Sequence, residues 1–245
     1  MQSSDLIPEK HLIPSFILSG SILVNDRVIT KPGTLIHKTD IVRIKEKIKK
    51  YVSRGAYKLI GAFDAFKDID INEKVCLDLG ASTGGFTQIL LEKNAKHVYA
   101  VDVGYGQLAQ KLANDKRVTV FDRTHIKDLH FSELHFPNEK YFVCMDLSFI
   151  SLTAVFPYLS NLIQESNLEY WEGVSLIKPQ FELPSRYLEK GIVRDRFIQL
   201  IAIRHVWREI KRQNPNFCFV ALAESPIQGT DGNHEFLLRW KWKRS

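Results

Sequence analysis

The segment that most constrains the fold is residues 75–87, where an apolar run leads into a turn of small residues and then directly into a helical pattern. It reads Val75-Cys-Leu-Asp-Leu-Gly-Ala-Ser-Thr-Gly-Gly-Phe-Thr87. A second apolar run, 97–102, ends at Asp102, 24 residues after Asp78. This order of strand, glycine-rich turn, helix, strand and carboxylate is typical of a nucleotide-binding βαβ unit, whose carboxylate binds ribose hydroxyls.

Position 82 indicates which ligand the turn suits. In the dinucleotide fingerprint the glycines would fall at 80, 82 and 85, and the middle glycine lets the backbone contact a pyrophosphate. This chain has Ser82 there. Without that contact the turn suits S-adenosylmethionine, whose carboxylate can lie at the helix N-terminus and whose ribose can bind Asp102. We predict contacts with this cofactor from Asp78, Gly80, Ser82, Thr83, Gly84, Gly85, Phe86, Asp102 and, at the adenine edge, Asp122.

The remaining sequence alternates strand and helix patterns. The predicted strands lie near 74–79, 97–102, 117–121, 141–146, 172–178, 216–223 and 234–240. The predicted helices lie near 53–66, 85–93, 106–114, 151–164 and 195–213. Such alternation predicts an α/β, Rossmann-like fold with a seven-stranded, mostly parallel, doubly wound sheet. The last two strands are joined by a turn-rich segment and are expected to form an antiparallel pair at one side.

The positive charge is concentrated at the N-terminal end. Residues 1–60 contain 11 Lys and Arg against 5 Asp and Glu, whereas residues 61–245 contain 23 of each. A basic unit ahead of a neutral core is typical of nucleic-acid binding, although a solvated basic linker would have the same composition. Short strand patterns with an Asn-Asp turn and a Pro-Gly turn favour the folded unit.

This N-terminal stretch resembles the second half of an S4-type RNA-binding domain. The resemblance lies in a helix ending at Gly20, a Val24-Asn25 pair and the later Lys31-Pro-Gly33. An S4 domain opens with two helices, but Pro8 and Pro14 interrupt the few residues available here, so the first helix is expected to be short or missing. We predict an abbreviated S4-like domain over 1–46, a basic linker over 47–56 and a catalytic domain over 57–245.

Other patterns bear on location and metal content. The chain has no apolar run of 18 residues, and its first residues lack the order of a signal peptide, so we expect a cytoplasmic protein without membrane attachment. Its three cysteines, Cys76, Cys144 and Cys218, are far apart in apolar runs. They are expected to be buried thiols, with neither a metal site nor a disulfide framework.

Two polar residues follow consecutive predicted strands, at the edge where ligands bind in open parallel sheets. Asp146 follows Tyr-Phe-Val-Cys-Met, and Lys178 follows Gly-Val-Ser-Leu-Ile. This pair suits an alcohol as methyl acceptor, because a hydroxyl needs its proton removed or its developing charge stabilised. Lysine could do either, and both roles are open at this point. Enzymes that methylate a base amino group typically have Asp/Asn-Pro-Pro-aromatic after the fourth strand, whereas this chain has Asp146-Leu-Ser-Phe149. Carbon methylation would need a cysteine nucleophile, and Cys144 lies inside a predicted strand. Oxygen is therefore the favoured acceptor.

Six motifs together resemble the hemolysin A-type, or TlyA, ribosomal RNA methyltransferases, which join an S4-like domain to an FtsJ-like ribose 2′-O-methyltransferase domain. They are Ser53-Arg-Gly-Ala-Tyr-Lys58-Leu, Asp78 to Thr87, Asp146-Leu-Ser-Phe-Ile-Ser151, Lys178-Pro-Gln-Phe-Glu182, Lys190-Gly191…Arg194-Asp195 and Ser225-Pro-Ile…Gly232-Asn-His-Glu235-Phe. The resemblance implies a Lys-Asp-Lys-Glu catalytic tetrad at Lys58, Asp146, Lys178 and Glu235, with Lys178 acting on the 2′-hydroxyl. The chain departs from the family at His125 and at Ile192, where asparagine and glycine are usual.

The resemblance therefore implies an S-adenosylmethionine-dependent methyltransferase that acts on ribose in ribosomal RNA or ribosomal subunits. Two alternatives are a non-catalytic RNA-binding protein with a vestigial pocket and a membrane-active hemolysin. A measurement of methyl-donor binding distinguishes the enzyme from the first alternative, because a vestigial pocket would not bind the donor. The second would call for an amphipathic basic helix or a membrane-spanning run, which the sequence pattern does not favour.

Overall fold

A computed structural model describes residues 13–18, 20–44, 51–229 and 231–244. The chain divides into two compact units, residues 1–50 and 51–245. Residues 51–56 of the predicted linker thus belong to the second unit, where Tyr51 is buried. The earlier part of that linker, 47–50, and the first part of the predicted S4-like domain, 1–12, lie outside the described residues.

The described part of the first unit is a short helix, α1 (Ile13–Leu18), followed by a three-stranded antiparallel sheet. Its strands are β1 (Ile22–Val24), β2 (Arg27–Ile29) and β3 (Val42–Ile44). Gly20 follows the helix with φ +69°, and Asn25 and Asp26, both with positive φ, form a two-residue hairpin turn between β1 and β2. The helix, glycine and hairpin agree with the sequence pattern, and assignment to the S4 type stays a prediction.

A seven-stranded sheet forms the centre of the second unit over the residues that are described there. Its strands are β4 (Val75–Leu79), β5 (His97–Val101), β6 (Val118–Phe121), β7 (Tyr141–Met145), β8 (Tyr170–Ile177), β9 (Phe217–Glu224) and β10 (Phe236–Lys243). They are ordered β6-β5-β4-β7-β8-β10-β9, and β10 runs antiparallel to both β8 and β9 while the other pairs are parallel. The predicted mostly parallel, Rossmann-like sheet is confirmed.

Strand order creates a crevice at the carboxyl edge of this sheet. The chain runs outward from β4 to β5 and β6, then returns to the other side of β4 at β7. Connections on the two sides of this reversal point leave the sheet in opposite directions, so a cleft opens between them. The turn after β4 and the residues after β7 therefore face the same cleft.

Helices cover both faces of the sheet. They are α2 (Ala56–Ala65), α3 (Gly85–Glu92), α4 (Gln110–Ala113), α5 (Leu152–Glu165), α6 (Pro179–Glu182) and α7 (Arg196–Gln213). One core cluster packs Leu77 with Phe156 of α5 and Val206 of α7, and the other packs Cys76 with Leu59 of α2 and Leu90 of α3. Every residue of β4 is buried, as expected for a parallel strand covered on both faces.

The structure differs from the sequence pattern at two places. Helix α4 covers only four residues of the predicted 106–114, because the Asp102 and Asp122 carboxylates accept backbone N–H groups of Gly104 and Gly106 and hold that segment in turns. Cys218 was expected to be buried, and this is wrong: it is exposed on the outermost strand, β9.

Two features are absent from the described residues. These residues contain no cluster of three or more His, Cys, Asp and Glu side chains arranged to hold a metal ion. Within the same residues, none of the helices has both the length and the apolar character that crossing a membrane requires.

Candidate active site

Four charged side chains meet at the carboxyl edge of the sheet. Lys178 Nζ lies 2.7 Å from Asp146 Oδ1, and Asp146 Oδ2 lies 3.0 Å from Lys58 Nζ. Lys58 Nζ lies a further 2.7 Å from Glu235 Oε2. The two lysines are each 6% exposed and Glu235 is 3% exposed. The result is a chain of alternating charges, Lys178, Asp146, Lys58 and Glu235, with no net charge; we call it the tetrad.

The fold explains why these four residues meet. Asp146 directly follows β7, Lys178 directly follows β8, and Glu235 directly precedes β10. Because β10 is antiparallel to β8, its beginning lies at the same edge as the end of β8. Lys58 reaches the group from α2. Burial of an ammonium group is unfavourable unless carboxylates compensate it, which both acidic members do here.

The electrostatics of the tetrad favour the charged form of Asp146. Burial alone would raise the pKa of its carboxyl, but the neighbouring ammonium groups of Lys178 and Lys58 outweigh burial and hold the pKa below its ordinary value. Ser148 adds a further contact, since Lys178 Nζ donates a hydrogen bond of 2.9 Å to its Oγ. Asp146 and Ser148 together orient the Lys178 amine.

The tetrad lines a cavity of about 680 Å³, which we call the lysine cavity. Its wall also includes Ser53, Gly85, Phe86, Phe149, Gln180, Phe181 and Leu188. Phe149 is 91% exposed and has φ +64°, and its ring centroid lies 5.2 Å from that of Phe181. An aromatic pair, of which Phe149 is exposed and Phe181 half-buried, thus lies in the wall beside the Lys178 amine.

A second cavity, of about 510 Å³, lies beside the turn after β4; we call it the turn cavity. Its lining includes Gly80, Ser82, Asp102, Val103, Gln107, Thr124, His125, Ile126, Leu147 and Ile150. The two cavities share Gly80, Ser82, Asp146, Ser148 and Phe149. A molecule in the turn cavity would therefore share a wall with a molecule in the lysine cavity.

Three of the predicted cofactor residues shape the turn cavity directly. Asp102 Oδ2 accepts the backbone N–H of Ser82 at 2.8 Å, and Asp102 Oδ1 accepts that of Gly104 at 2.7 Å. Gly80 has φ +84°, and a Cβ there would lie 2.8 Å from the Asp146 carbonyl oxygen. Only glycine lets the turn after β4 approach the segment after β7 this closely.

Other predicted cofactor residues lie outside the turn cavity. Gly85 and Phe86 line the lysine cavity, whereas Thr83 and Gly84 line neither cavity. Gly84 begins α3 with φ +96°, and a Cβ there would lie 2.4 Å from Leu112 Cδ1. It serves the close packing of α3 against the segment around α4.

Asp78 and Asp122 also lie outside the lining of both cavities. Asp78 is fully buried and accepts a 2.6 Å hydrogen bond from Thr87 Oγ1. Burial raises the pKa of its carboxyl to about 7, and the Thr87 hydrogen bond only partly opposes this effect. Asp122 Oδ2 accepts the backbone N–H of Gly106 at 3.0 Å. In the structure, both carboxylates support the turns around the cavities.

Ser148, Gln107 and Glu182 contribute to the site, although the sequence pattern indicated no role for them. Glu182 is buried, and its carboxylate accepts hydrogen bonds from the Leu152 N–H at 2.9 Å and from Ser151 Oγ at 2.5 Å. It thereby ties the segment after β8 to the start of α5. The motif beginning at Lys178 contains Glu182, but nothing in the local pattern indicates that its partners come from another segment.

The turn cavity fits S-adenosylmethionine by the chemistry of its lining. Asp102 offers a carboxylate for ribose hydroxyls, and Val103 and Ile126 offer apolar surface for an adenine ring. Gly80 lets the turn after β4 pack against the segment after β7, so both segments contribute to the wall of the cavity. Gln107 and Thr124 add polar groups that can fix the orientation of a ligand.

Comparisons with known proteins agree with this geometry. The sequence pattern of FtsJ-like methyltransferases matches residues 51–242. Hemolysin A of Brachyspira hyodysenteriae is 40% identical over 222 residues, which cover 90% of this chain and 89% of that protein. The 16S/23S rRNA (cytidine-2′-O)-methyltransferase TlyA of Mycobacterium tuberculosis is 37% identical over 229 residues, covering 93% and 81%.

A solved structure extends the similarity to three dimensions. A hemolysin-like protein from Streptococcus thermophilus matches with a TM-score of 0.74 at 32% identity, covering 98% of this chain and 85% of that chain. Relatives at this level of identity and coverage share a family as well as a fold. The chain therefore belongs to the FtsJ-like methyltransferase family and is an S-adenosylmethionine-dependent methyltransferase.

Proposed function

We propose that this enzyme methylates a ribose 2′-hydroxyl of ribosomal RNA, with the tetrad acting on the hydroxyl. The observation that carries the proposal is the tetrad itself: two buried lysines bridged by Asp146 line a cavity that shares a wall with the turn cavity. The M. tuberculosis relative is named for 2′-O-methylation of cytidine in ribosomal RNA, which supports the same acceptor atom here.

Lys178 is the residue we assign to the hydroxyl. S-adenosylmethionine, when bound, supplies a methyl carbon that an oxygen nucleophile can attack. A ribose hydroxyl is a weak nucleophile until its proton leaves. The Lys178 amine faces the lysine cavity, held by Asp146 and Ser148. Once its ammonium group has released a proton to solvent, the neutral amine takes the hydroxyl proton as the oxygen attacks the methyl carbon.

Lys58 and Glu235 hold the acceptor side of the site. Lys58 Nζ contacts both Asp146 and Glu235, so it fixes Asp146 in the position from which that carboxylate orients Lys178. Both residues also line the lysine cavity, where they can hydrogen-bond to the nucleotide. The alternating charges remain balanced, so an uncharged ribose can enter without leaving an unpaired charge behind.

RNA as the acceptor is supported by surface features. Phe149 presents an exposed ring beside the cavity, and recognition of single-stranded RNA commonly stacks unpaired bases on aromatic side chains. Residues 1–60 add an excess of positive charge, which favours binding to a polyanion. Neither feature is expected of an enzyme whose acceptor is a small neutral molecule.

The first prediction tests Lys178 with two variants. Lys178→Ala should lower the transfer rate at least about a hundredfold, because general base catalysis contributes about 10²–10⁴. Lys178→Arg keeps the positive charge but cannot accept a proton at neutral pH, so it should be equally inactive. Transfer is measured with radiolabelled donor on ribosomal RNA from cells that lack this protein, and mass spectrometry maps the modified nucleotide.

Lys140→Ala, at an exposed position before β7, is the matched control and should retain wild-type activity. Calorimetry should show donor affinity within about twofold of wild type in all three variants. An active Lys178→Arg would contradict the proton-accepting role, and an active Lys178→Ala would refute the assignment altogether. A wild-type protein that binds no donor would support the vestigial-pocket alternative.

A further inference from the structure

A third cavity, of about 700 Å³, adjoins the lysine cavity along the chain. We call it the arginine groove; it is lined by Glu182, Leu183, Pro184, Arg186, Tyr187, Ile201, Arg204, His205 and Arg208. The segment 180–188 contributes to both cavities, because Gln180, Phe181 and Leu188 line the lysine cavity and five of the six residues between Phe181 and Leu188 line the groove. A ligand that leaves the lysine cavity along this segment reaches the groove.

The groove is positively charged within a unit that is otherwise balanced. Arg186, Arg204 and Arg208 are exposed, and the single carboxylate in the lining, Glu182, is buried and engaged by the start of α5. Among the residues that the structure describes, neither Arg186 nor Arg204 has a carboxylate within ion-pair distance, and Arg208 has only Glu209, at 3.6 Å. Since residues 61–245 contain equal numbers of basic and acidic side chains, this local excess is a specific feature.

The arrangement of these arginines suits an extended chain of phosphates. Arg204 and Arg208 lie one turn apart on the same face of α7, about 6 Å along the helix axis, so they can contact different phosphates. Arg186 comes from the segment between α6 and α7, and its guanidinium lies over the Tyr187 ring at 5.0 Å from the centroid. Guanidinium groups pair well with phosphate oxygens, and the apolar side chains of Leu183 and Ile201 offer surface to sugars.

We propose that the arginine groove binds the phosphate backbone of the RNA strand next to the nucleotide held in the lysine cavity. This inference rests on the proposed function and adds the route of the strand. Phosphate contacts position a nucleic acid without reading its sequence. The groove would therefore contribute affinity and register, while the lysine cavity holds the reacting ribose.

The experiment compares Arg204→Ala/Arg208→Ala with Lys116→Ala/Lys140→Ala in the full chain. The control pair removes the same charge from exposed positions before β6 and β7, at the sheet edge opposite the tetrad. Binding of protein-free ribosomal RNA is measured over a range of salt concentrations. Losing two phosphate contacts should reduce the slope of log affinity against log salt by about 1.4 in the groove variant only.

Two further measurements sharpen the test. Arg204→Lys/Arg208→Lys should retain the slope, because a point charge suffices for a phosphate contact. In methyl transfer, the alanine pair should raise KM for RNA severalfold and leave kcat at saturating RNA and donor affinity unchanged. All variants should melt at the wild-type temperature, since the altered side chains are exposed.

Three results would overturn the groove assignment: equal slope changes in both alanine pairs, no change in either, or loss of binding to intact subunits with binding to protein-free RNA retained. The last result would indicate an acidic ribosomal protein as the groove's partner. If the wild-type enzyme methylates no ribosomal RNA, the proposed function fails. The salt slope still tests the groove in that case, because it requires binding and not transfer.

Discussion

At the scale of single residues, carboxylates near the site differ in environment and therefore in role. Asp146 lies between two lysines, which lower the pKa of its carboxyl, and it contacts the amine that we propose acts on the hydroxyl. Asp78 lies two positions before Gly80, which lines the turn cavity. Its side chain is nevertheless fully buried, and its main partner is the Thr87 hydroxyl. Burial raises the pKa of the Asp78 carboxyl to about 7. We expect Asp78 to affect stability rather than chemistry.

The second prediction concerns Asp78→Asn and pH. The pKa of Asp78 rises on folding from 3.8 to about 7, so this group stabilises the native state fully below pH 3.8, and the contribution is lost as pH rises through 7. Asparagine does not titrate and can still accept the hydrogen bond from Thr87. The stability of the variant relative to wild type should therefore increase by roughly 4 kcal/mol between about pH 4 and pH 8.

Urea unfolding at several pH values measures this difference. Asp128→Asn, at an exposed position, is the control and should follow the wild-type pH dependence. A difference between Asp78→Asn and wild type that stays constant with pH would show that Asp78 is already ionised in the native protein.

The sequence revealed the site residues that a local strand pattern marks, and it did not reveal those whose partners lie in distant segments. Asp146 and Lys178 follow apolar strands, so the rule for strand ends nominated them directly. Lys58 and Glu235 look like ordinary surface residues in their own segments, and only the family resemblance identified them. Glu182 was missed because its hydrogen bonds go to a segment about thirty residues away. Partners at such distances are set by tertiary packing, which local patterns do not report.

At the scale of elements, the segments after β7 and β8 form one joined structure. Each begins with a tetrad residue, Asp146 or Lys178, and Glu182 at the end of α6 bonds to Ser151 and Leu152 at the start of α5. Burial raises the pKa of the Glu182 carboxyl, and its two hydrogen bonds oppose that rise. The junction keeps the two tetrad segments in register.

The third prediction is that Glu182→Ala loosens this junction. The buried Leu152 N–H would lose its partner, which costs about 1–3 kcal/mol of folding free energy. The value of kcat should fall more than donor affinity does, because the Asp146 and Lys178 segments are no longer held together. Stability is measured by urea unfolding, and kcat by methyl transfer at saturating substrates.

Two variants separate positioning from stability. Glu182→Gln preserves an acceptor for Leu152 and a polar partner for Ser151, so it should recover most of the activity. Ser151→Ala should cost about 1 kcal/mol through loss of the helix cap, with the bond from Leu152 to Glu182 intact. If Glu182→Ala and Ser151→Ala lose kcat only in proportion to their loss of stability, the junction has no positioning role.

Elements were more predictable than their surroundings. Buried parallel strands appear in a sequence as continuous apolar runs, which is why β4, β5, β7 and β8 were anticipated. All seven strands lie near their predicted positions. The predicted helix over 106–114 was too long because carboxylates from other segments capture the backbone of Gly104 and Gly106. Cys218 was misjudged because an apolar run does not reveal that its strand lies at the sheet edge.

At the scale of the whole molecule, most of the excess positive charge and the two site cavities lie in different units. The tetrad and the lining of both cavities fall within residues 53–235, in the second unit. Residues 1–50 contain nine Lys and Arg against five Asp and Glu, so most of the excess positive charge lies in the first unit. Affinity for RNA and affinity for the methyl donor should therefore respond to different substitutions.

The fourth prediction tests this division with Arg27→Ala/Lys31→Ala/Lys38→Ala, three exposed positions in the first unit. If each contacts a phosphate, the slope of log RNA affinity against log salt should fall by about 2. Donor affinity, measured by calorimetry, should not change. A triple substitution of Lys93, Lys116 and Lys140 in the second unit is the control with equal charge. Unchanged RNA affinity in the first variant would refute an RNA-binding role for these residues.

The wall shared by the two cavities has a thermodynamic consequence. Gly80, Ser82, Asp146, Ser148 and Phe149 contact whatever occupies either side, so occupancy of one side alters the surface offered to the other. Around a closed binding cycle the coupling free energy is the same in both directions. If the donor tightens RNA binding by some factor, RNA must tighten donor binding by that same factor. The same holds for RNA and the demethylated donor, and the size of that second factor determines how strongly this product inhibits the enzyme when RNA is bound.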